Sequence, residues 1–383
     1  MRFIIKTLHG LEDVLLLQLK ELGAQNCIKL TRAVECEGNM EFLYKTALSV
    51  PTALRILLPI EEAIVHTEKD LYRKAKKIEW EKVFDINQNF AIDCVSFASF
   101  HTHSKFLGLR VKDAIVDRFR DLYGERPNVE TKDPDYRINV HISDKKVSFS
   151  LDCIGFSLNQ RAYREMGHVS PLNEVLAAGI LQLSEWKADK DFLDPMCGSG
   201  TLAIEAAMLA ANMPCNWNVK HFAFMNWNNF DKKKWREIRD EFESEFKSPS
   251  IKIYANDKDN VAVEIAKQSA RNAGVFKYIS FSNKDFMKLD IPLQNGVIVT
   301  NPPYGERLEI EDAIAFYEEI GDTLKTNFSN NNSAFILSGN IEAGKRVGLK
   351  PSRKIPLFNG KIECRLFKFD LYSGSKNKNK EQN

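Results

Sequence analysis

The chain has no paired cysteine motif, no long apolar run and little net charge, and each absence narrows what it can be. Its seven cysteines are Cys27, Cys36, Cys94, Cys153, Cys197, Cys215 and Cys364. None forms a CxxC pair and their number is odd, which argues against a zinc ribbon, an iron–sulfur cluster or a disulfide framework. Reduced, buried thiols in a cytoplasmic protein are expected instead. No apolar run approaches the roughly 20 residues that span a bilayer, so no membrane is expected. The start, MRFIIKTLHG, lacks the apolar core of a secretory signal and reads as a strand. Net charge is only +2, so any RNA contact has to come from local patches. Lys69, Arg73, Lys74, Lys76 and Lys77 form one such cluster, and Lys105, Arg110 and Lys112 another. Each is either an RNA-facing surface or a solvated helix face. His101 and His103 are the one close histidine pair. No cysteine nearby completes a ligand set, so they read as a strand end and no metal is expected.

What is present is a chain of 383 residues, longer than one typical core. The order of apolar periods over residues 1–60 is β-α-β-β-α-β, that of a ferredoxin-like unit. Its last strand reads as Leu54–Pro59. Residues 61–155 form a second small α+β unit. There a long amphipathic helix spans Ser104–Tyr123, and a hairpin turns at Asp144-Lys145. From 156 to 372 short apolar strands alternate with helices, which predicts a parallel sheet covered on both faces. Within it, 214–249 is aromatic and charged and reads as an insertion with a helix near Lys232–Phe246. Residues 373–383 have no apolar content and are expected to be a disordered tail.

Two motifs carry chemistry. The run Asp194-Pro195-Met196-Cys197-Gly198-Ser199-Gly200-Thr201 joins a strand to a helix. Gly198 and Gly200 let the backbone approach a ligand, and the helix starting at Thr201 offers free N–H groups to a carboxylate. The spacing is GxG, not the GxGxxG of a dinucleotide site. Asp257 follows the next strand, where a carboxylate grips a ribose diol. Asp285 follows the third, placed to accept from an adenine amino group. Either acid alone could be an ordinary helix cap. Three acids at successive strand ends point to a nucleoside cofactor.

The second motif, Asn301-Pro302-Pro303-Tyr304, ends a buried strand. Its prolines stiffen the loop. The Asn301 side-chain oxygen and the Pro302 carbonyl can both accept from one exocyclic amino group, and Tyr304 offers a face for stacking a base. With the GxG site, this predicts transfer of a methyl group from S-adenosylmethionine to a base nitrogen.

The two motifs resemble the Rossmann-like amino-methyltransferases. The runs 157–164, 170–174 and 359–366 extend the likeness to the RlmL-type guanine-N2 methyltransferases of 23S rRNA, in the form with a single catalytic domain. Those enzymes carry ferredoxin-like and THUMP domains before the catalytic domain, the order read above. The resemblance implies that Asp194, Pro195, Met196, Gly198, Gly200 and Thr201 line the cofactor pocket, with Asp257 on the ribose and Asp285 on the adenine. It implies that Asn301, Pro302, Pro303 and Tyr304 hold the target guanine, and that Asn359 contacts substrate. Arg161 and Arg164 either reach phosphate or substrate or form a solvated pair. Where the family often has two arginines after the Ser-Leu pair, this chain has Asn159-Gln160-Arg161, so one basic contact is missing. The partner implied is RNA, 23S rRNA first. A tRNA guanine-N2 enzyme uses the same parts. A DNA adenine-N6 enzyme would need a target-recognition domain in place of the N-terminal units. A non-catalytic RNA-binding protein would have lost one of the two motifs.

Overall fold

A computed structural model of the protein describes residues 1–100, 103–164, 172–303 and 310–372. The first half contains β1 (Arg2–Lys6), α1 (Glu12–Glu21), β2 (Gln25–Leu30), β3 (Ala33–Glu37), α2 (Met40–Ser49) and β4 (Arg55–Ile64). It continues with α3 (Glu68–Lys77), β5 (Phe90–Phe97), α4 (Ser104–Tyr123), β6 (Tyr136–Ser143) and β7 (Lys146–Asp152). These seven strands form one sheet in the order β2-β3-β1-β4-β7-β6-β5.

The two N-terminal units therefore share a sheet, and the joint is β4. Ile56 pairs with Ile5 of β1, while Leu58 and Ile64 pair with Leu151 and Lys146 of β7. The sequence reading ends this strand at Pro59, a residue that cannot donate to a ladder. The strand continues because its register shifts between Pro59 and Glu61, a bulge that absorbs the missing donor. The expected break at residue 60 thus falls inside a strand. At the β6–β7 turn, Asp144 takes φ +53°, a left-handed conformation that a short polar side chain tolerates.

Phe3, Ile5, Ile56, Val140 and Phe149 line one core under the N-terminal helices. The insertion packs into that same core, through Phe222, Phe224, Trp227 and Trp235, although it belongs in sequence to the catalytic half. Tyr44 of α2 is ringed by Phe224, Phe230 and Trp235 at centroid distances of 5.0, 5.7 and 5.8 Å. Its hydroxyl accepts from the Asp231 N–H at 3.0 Å. Trp227 stacks on Tyr136 at 6.1 Å. The insertion is a strap that fixes the catalytic half to the N-terminal sheet. Trp235→Ala is expected to cost about 3–5 kcal/mol. Urea denaturation would show an earlier midpoint; an unchanged midpoint would mean that the strap carries no stability.

The second half contains α5 (Glu174–Leu183), β8 (Phe192–Asp194), α6 (Thr201–Ala210), α7 (Lys232–Ser244), β9 (Ile253–Asn256), α8 (Asn260–Ala273) and β10 (Ile279–Ser282). It ends with β11 (Val297–Thr300), α9 (Ile310–Asn327), β12 (Ser333–Ser338), α10 (Ile341–Gly344), β13 (Arg353–Asn359) and β14 (Ile362–Asp370). The strand order is β10-β9-β8-β11-β12-β14-β13. The first five strands are parallel, and β14 and β13 close the edge antiparallel. Helices cover both faces: α6 and α8 pack in one core with Phe192 and Val299, and α9 in the other with Leu193 and Ile298. Strand order reverses between β8 and β11. In such sheets ligands bind at that point, beyond the carboxyl ends of the strands.

Candidate active site

Asp194 closes β8, and Asn301 follows β11 directly. The register pairs Phe192 with Val297 and Leu193 with Ile298, so both residues lie at the carboxyl edge where the order reverses. Asp257 follows β9 and Asp285 lies beyond β10, along the same edge.

The loop after β8 is built before any ligand arrives. The Cys197 N–H donates to the Asn256 carbonyl at 2.8 Å, and the Gly200 N–H to the Cys197 carbonyl at 2.8 Å. Asp257 accepts from the Gly198 N–H at 2.8 Å through one carboxylate oxygen and from the Asp259 N–H at 2.9 Å through the other. Gly198 and Gly200 have φ of +51° and +83°, as the tight turn requires. A Cβ on Gly200 would lie 2.8 Å from the Ala266 Cβ of α8. Its missing side chain therefore lets α6 pack on α8, a role the sequence reading had given to ligand approach.

Sequence reasoning passed over Asn256. It is fully buried and ties three segments together. Its Nδ2 donates to the carbonyls of Pro195 (3.0 Å) and Lys284 (2.9 Å). Its Oδ1 accepts from Ser282 Oγ (2.7 Å) and the Lys284 N–H (3.1 Å). The one available signal was an amide at a buried strand end, immediately before the acid that drew attention. Asp285 is exposed; one of its oxygens caps a short turn by accepting from the Met287 N–H at 3.0 Å, leaving the other for a ligand.

Among the described residues, three buried polar atoms at this edge have no hydrogen-bond partner: Asp194 Oδ1, Thr300 Oγ1 and Asn301 Oδ1. Unpaired buried polar atoms are costly and call for an explanation. Burial pushes the Asp194 carboxyl well above the ordinary carboxylate range, and the neighbouring charge of Asp257 adds to this. Two neighbouring acids, one with an unpartnered oxygen, suit a cationic ligand. An ammonium group would relieve Asp194, and a ribose diol would meet Asp257. S-adenosylmethionine carries both, so the residues present fit it. Burial also raises the Cys197 thiol, so that side chain is held protonated.

Two expected substrate contacts stand elsewhere. Arg161 is neither solvated nor open to a substrate, because its side chain has no exposed surface. Its guanidinium donates to Glu205 (3.3 Å), Asn216 Oδ1 (2.9 Å), and the carbonyls of Leu158 (2.9 Å) and Pro51 (2.8 Å). It joins α6, the insertion and the N-terminal half. Arg161→Ala is expected to destabilise the protein by about 3–5 kcal/mol, since the buried Glu205 would lose its cation and keep only the Tyr163 hydroxyl. Thermal unfolding checks this; a wild-type melting temperature with weakened substrate binding would restore the substrate role. Arg164 is held by Glu174 (2.6 Å) and the Leu172 carbonyl (2.9 Å), with 23% of its side chain exposed. Asn359 ends β13. Since Ser338 pairs with Arg365 and Arg365 with Pro356, the β13–β14 turn extends past the carboxyl end of β12, on the side of the site. Tyr304 and residues 373–383 lie outside the described residues.

The comparisons join this geometry to a family. The RMKL-like methyltransferase domain model matches residues 161–368, the THUMP domain model 65–152 and the RlmL ferredoxin-like domain model 2–57. The chain belongs to the RMKL-like methyltransferase family. It is 35% identical to a Synechocystis protein named as a candidate RNA methyltransferase, over 95% of both chains. It is 36% identical to the ribosomal RNA large subunit methyltransferase K/L of Shewanella pealeana, over 97% of this chain but 53% of that protein. The chain thus spans about half the length of this second relative. Among solved structures, a candidate methyltransferase with S-adenosylhomocysteine bound superposes with TM-score 0.89 at 27% identity, over 98% of this chain and 99% of that one. A Listeria monocytogenes protein, titled an N6-adenine-specific DNA methylase by prediction, superposes with TM-score 0.85 at 26% identity, over 97% and 96%. The RMKL-like domain is a Rossmann-like, S-adenosylmethionine-dependent methyltransferase. Among the described residues, no group of three His, Cys, Asp or Glu side chains is arranged to hold a metal. No helix there is long and apolar enough to cross a membrane.

Proposed function

We propose that this protein methylates the exocyclic N2 of a guanine in RNA, with 23S rRNA the first candidate. The observation that carries the reading is Asn301 Oδ1, buried at the end of β11 and without a partner among the described residues. An acceptor of that kind, beside a proline-stiffened carbonyl, is suited to an amino group. Accepting from both N–H bonds holds the nitrogen lone pair out of the ring and toward the methyl. Bound S-adenosylmethionine supplies an electrophilic methyl group on its sulfonium. Asp194 would hold the methionine ammonium, Asp257 the ribose and Asp285 the adenine, with Pro195, Met196, Gly198, Gly200 and Thr201 forming the pocket wall. Pro302, Pro303 and Tyr304 would frame the base, with Asn359 at the rim. The protein's contribution is alignment, which can lower a barrier by several kcal/mol without a strong base.

RNA is favoured by the THUMP and ferredoxin-like units, and by the names of the two curated relatives. Guanine N2 is favoured by the family likeness of the whole chain. The loop would grip an adenine N6 equally well, and the Listeria protein's title keeps that reading in view. The test is methyl transfer from labelled S-adenosylmethionine to unmodified 23S rRNA, bulk tRNA and duplex DNA. Label on rRNA is expected. Label on tRNA alone would move the substrate, and label on DNA alone would overturn the RNA assignment.

A further inference from the structure

A second feature of the fold lies apart from the carboxyl edge. Beside α4 is a hollow of about 520 Å³ lined mainly by charged side chains. Four cations face it, Arg110, Lys112, Arg120 and Arg126, against two carboxylates, Asp113 and Asp117. Helical spacing puts Arg110, Asp113, Asp117 and Arg120 along one stripe of α4. Gly124 then ends the helix in a left-handed conformation, φ +75°, and turns the chain back so that Arg126 reaches the same hollow.

The two carboxylates are already engaged. Asp117 accepts from the Tyr72 hydroxyl at 2.7 Å and from Arg120 at 3.3 Å, and Asp113 pairs with Lys112 at 2.7 Å. Among the described residues, Arg110 and Arg126 have no carboxylate partner. The Arg110 guanidinium lies over the Tyr72 ring at 5.1 Å, and its Nε is buried without an acceptor. A buried donor on a permanent cation is costly to leave unpaired. An anion with several oxygens could meet both arginines where they line the hollow, which has room for one.

We propose that this hollow is a phosphate site that holds the RNA backbone away from the methyl-transfer centre. The inference rests on the proposed RNA substrate. Backbone contacts of this kind set register and carry no base preference. The same chemistry could take a free phosphate, so the test separates the two sources.

Binding of labelled 23S rRNA transcript is measured over a salt series for the 383-residue chain, for Arg126→Glu and for Arg110→Gln. Arg126 is exposed, so its replacement leaves the core intact. Arg126→Glu is expected to weaken RNA binding by about tenfold and to lower the salt slope by about 1. Its affinity for S-adenosylmethionine should match wild type. RNA bound by wild type and both variants alike, with one salt slope, would overturn the phosphate site and spare the RNA reading. Wild type that binds no RNA would overturn both. In the second arm, inorganic phosphate is added to the RNA-free proteins and melting temperatures are compared. A phosphate-dependent rise lost in Arg126→Glu, with RNA binding unaltered, would assign the hollow to free phosphate and overturn the RNA occupant.

Discussion

Asn301→Ala is expected to lower kcat by about 10²–10³-fold, the usual cost of losing one aligned hydrogen-bonding group at a reacting centre. Affinity for S-adenosylmethionine should be unchanged, because the assigned cofactor contacts lie at and beyond the ends of β8, β9 and β10. The protein should stay folded. Asn301 Oδ1 has no partner among the described residues, so its removal relieves a buried acceptor instead of breaking a bond. Asn301→Asp keeps an acceptor in place and should retain more activity than alanine. Single-turnover transfer together with cofactor calorimetry checks the split. Loss of cofactor binding in step with activity would mean that Asn301 belongs to the cofactor pocket.

The second large effect is expected at Asp194, with opposite signs for stability and binding. Burial and the nearby Asp257 raise its folded pKa above the ordinary value. Stability linked to such a group is fully present below the unfolded pKa, about 3.9, and is lost as pH rises through the folded pKa. At neutral pH the empty protein therefore carries a penalty, and Asp194→Asn should melt higher than wild type. The difference should vanish in acid, where both side chains are neutral. Binding should move the other way. Without the carboxylate that meets the ammonium, cofactor affinity should fall by about 2–5 kcal/mol. Wild-type affinity should tighten as pH rises through the Asp194 titration, and the variant should lose that dependence. Thermal melts and calorimetry across pH measure both. A lower melting point with intact affinity would make Asp194 a structural group.

What was legible in the sequence is what depends on near neighbours. The apolar period of α4 is legible to the residue, because it buries one face on a regular repeat. The acids after β8, β9 and β10 and the Asn-Pro-Pro loop after β11 were placed at strand ends by the same local logic. Illegible were features decided by distant residues. Arg161 reads as a surface cation until Glu205, Asn216 and Pro51 close around it. Pro59 reads as a strand stop because a bulge depends on the partner strand. The aromatic insertion shows that it must be buried but not against what, and Tyr44 supplies the answer from nearly two hundred residues away. Asn256 is silent in sequence because an amide's worth lies in four hydrogen bonds to two other segments.

The central claim is the atom that receives the methyl group. Wild type and Asn301→Ala should each be incubated with unmodified 23S rRNA and S-adenosylmethionine, and the digested nucleosides separated by mass. N2-methylguanosine, present with wild type and reduced to background in the variant, is the predicted result. A methyl group on any other base position, or N2-methylguanosine formed equally by the variant, would contradict the account.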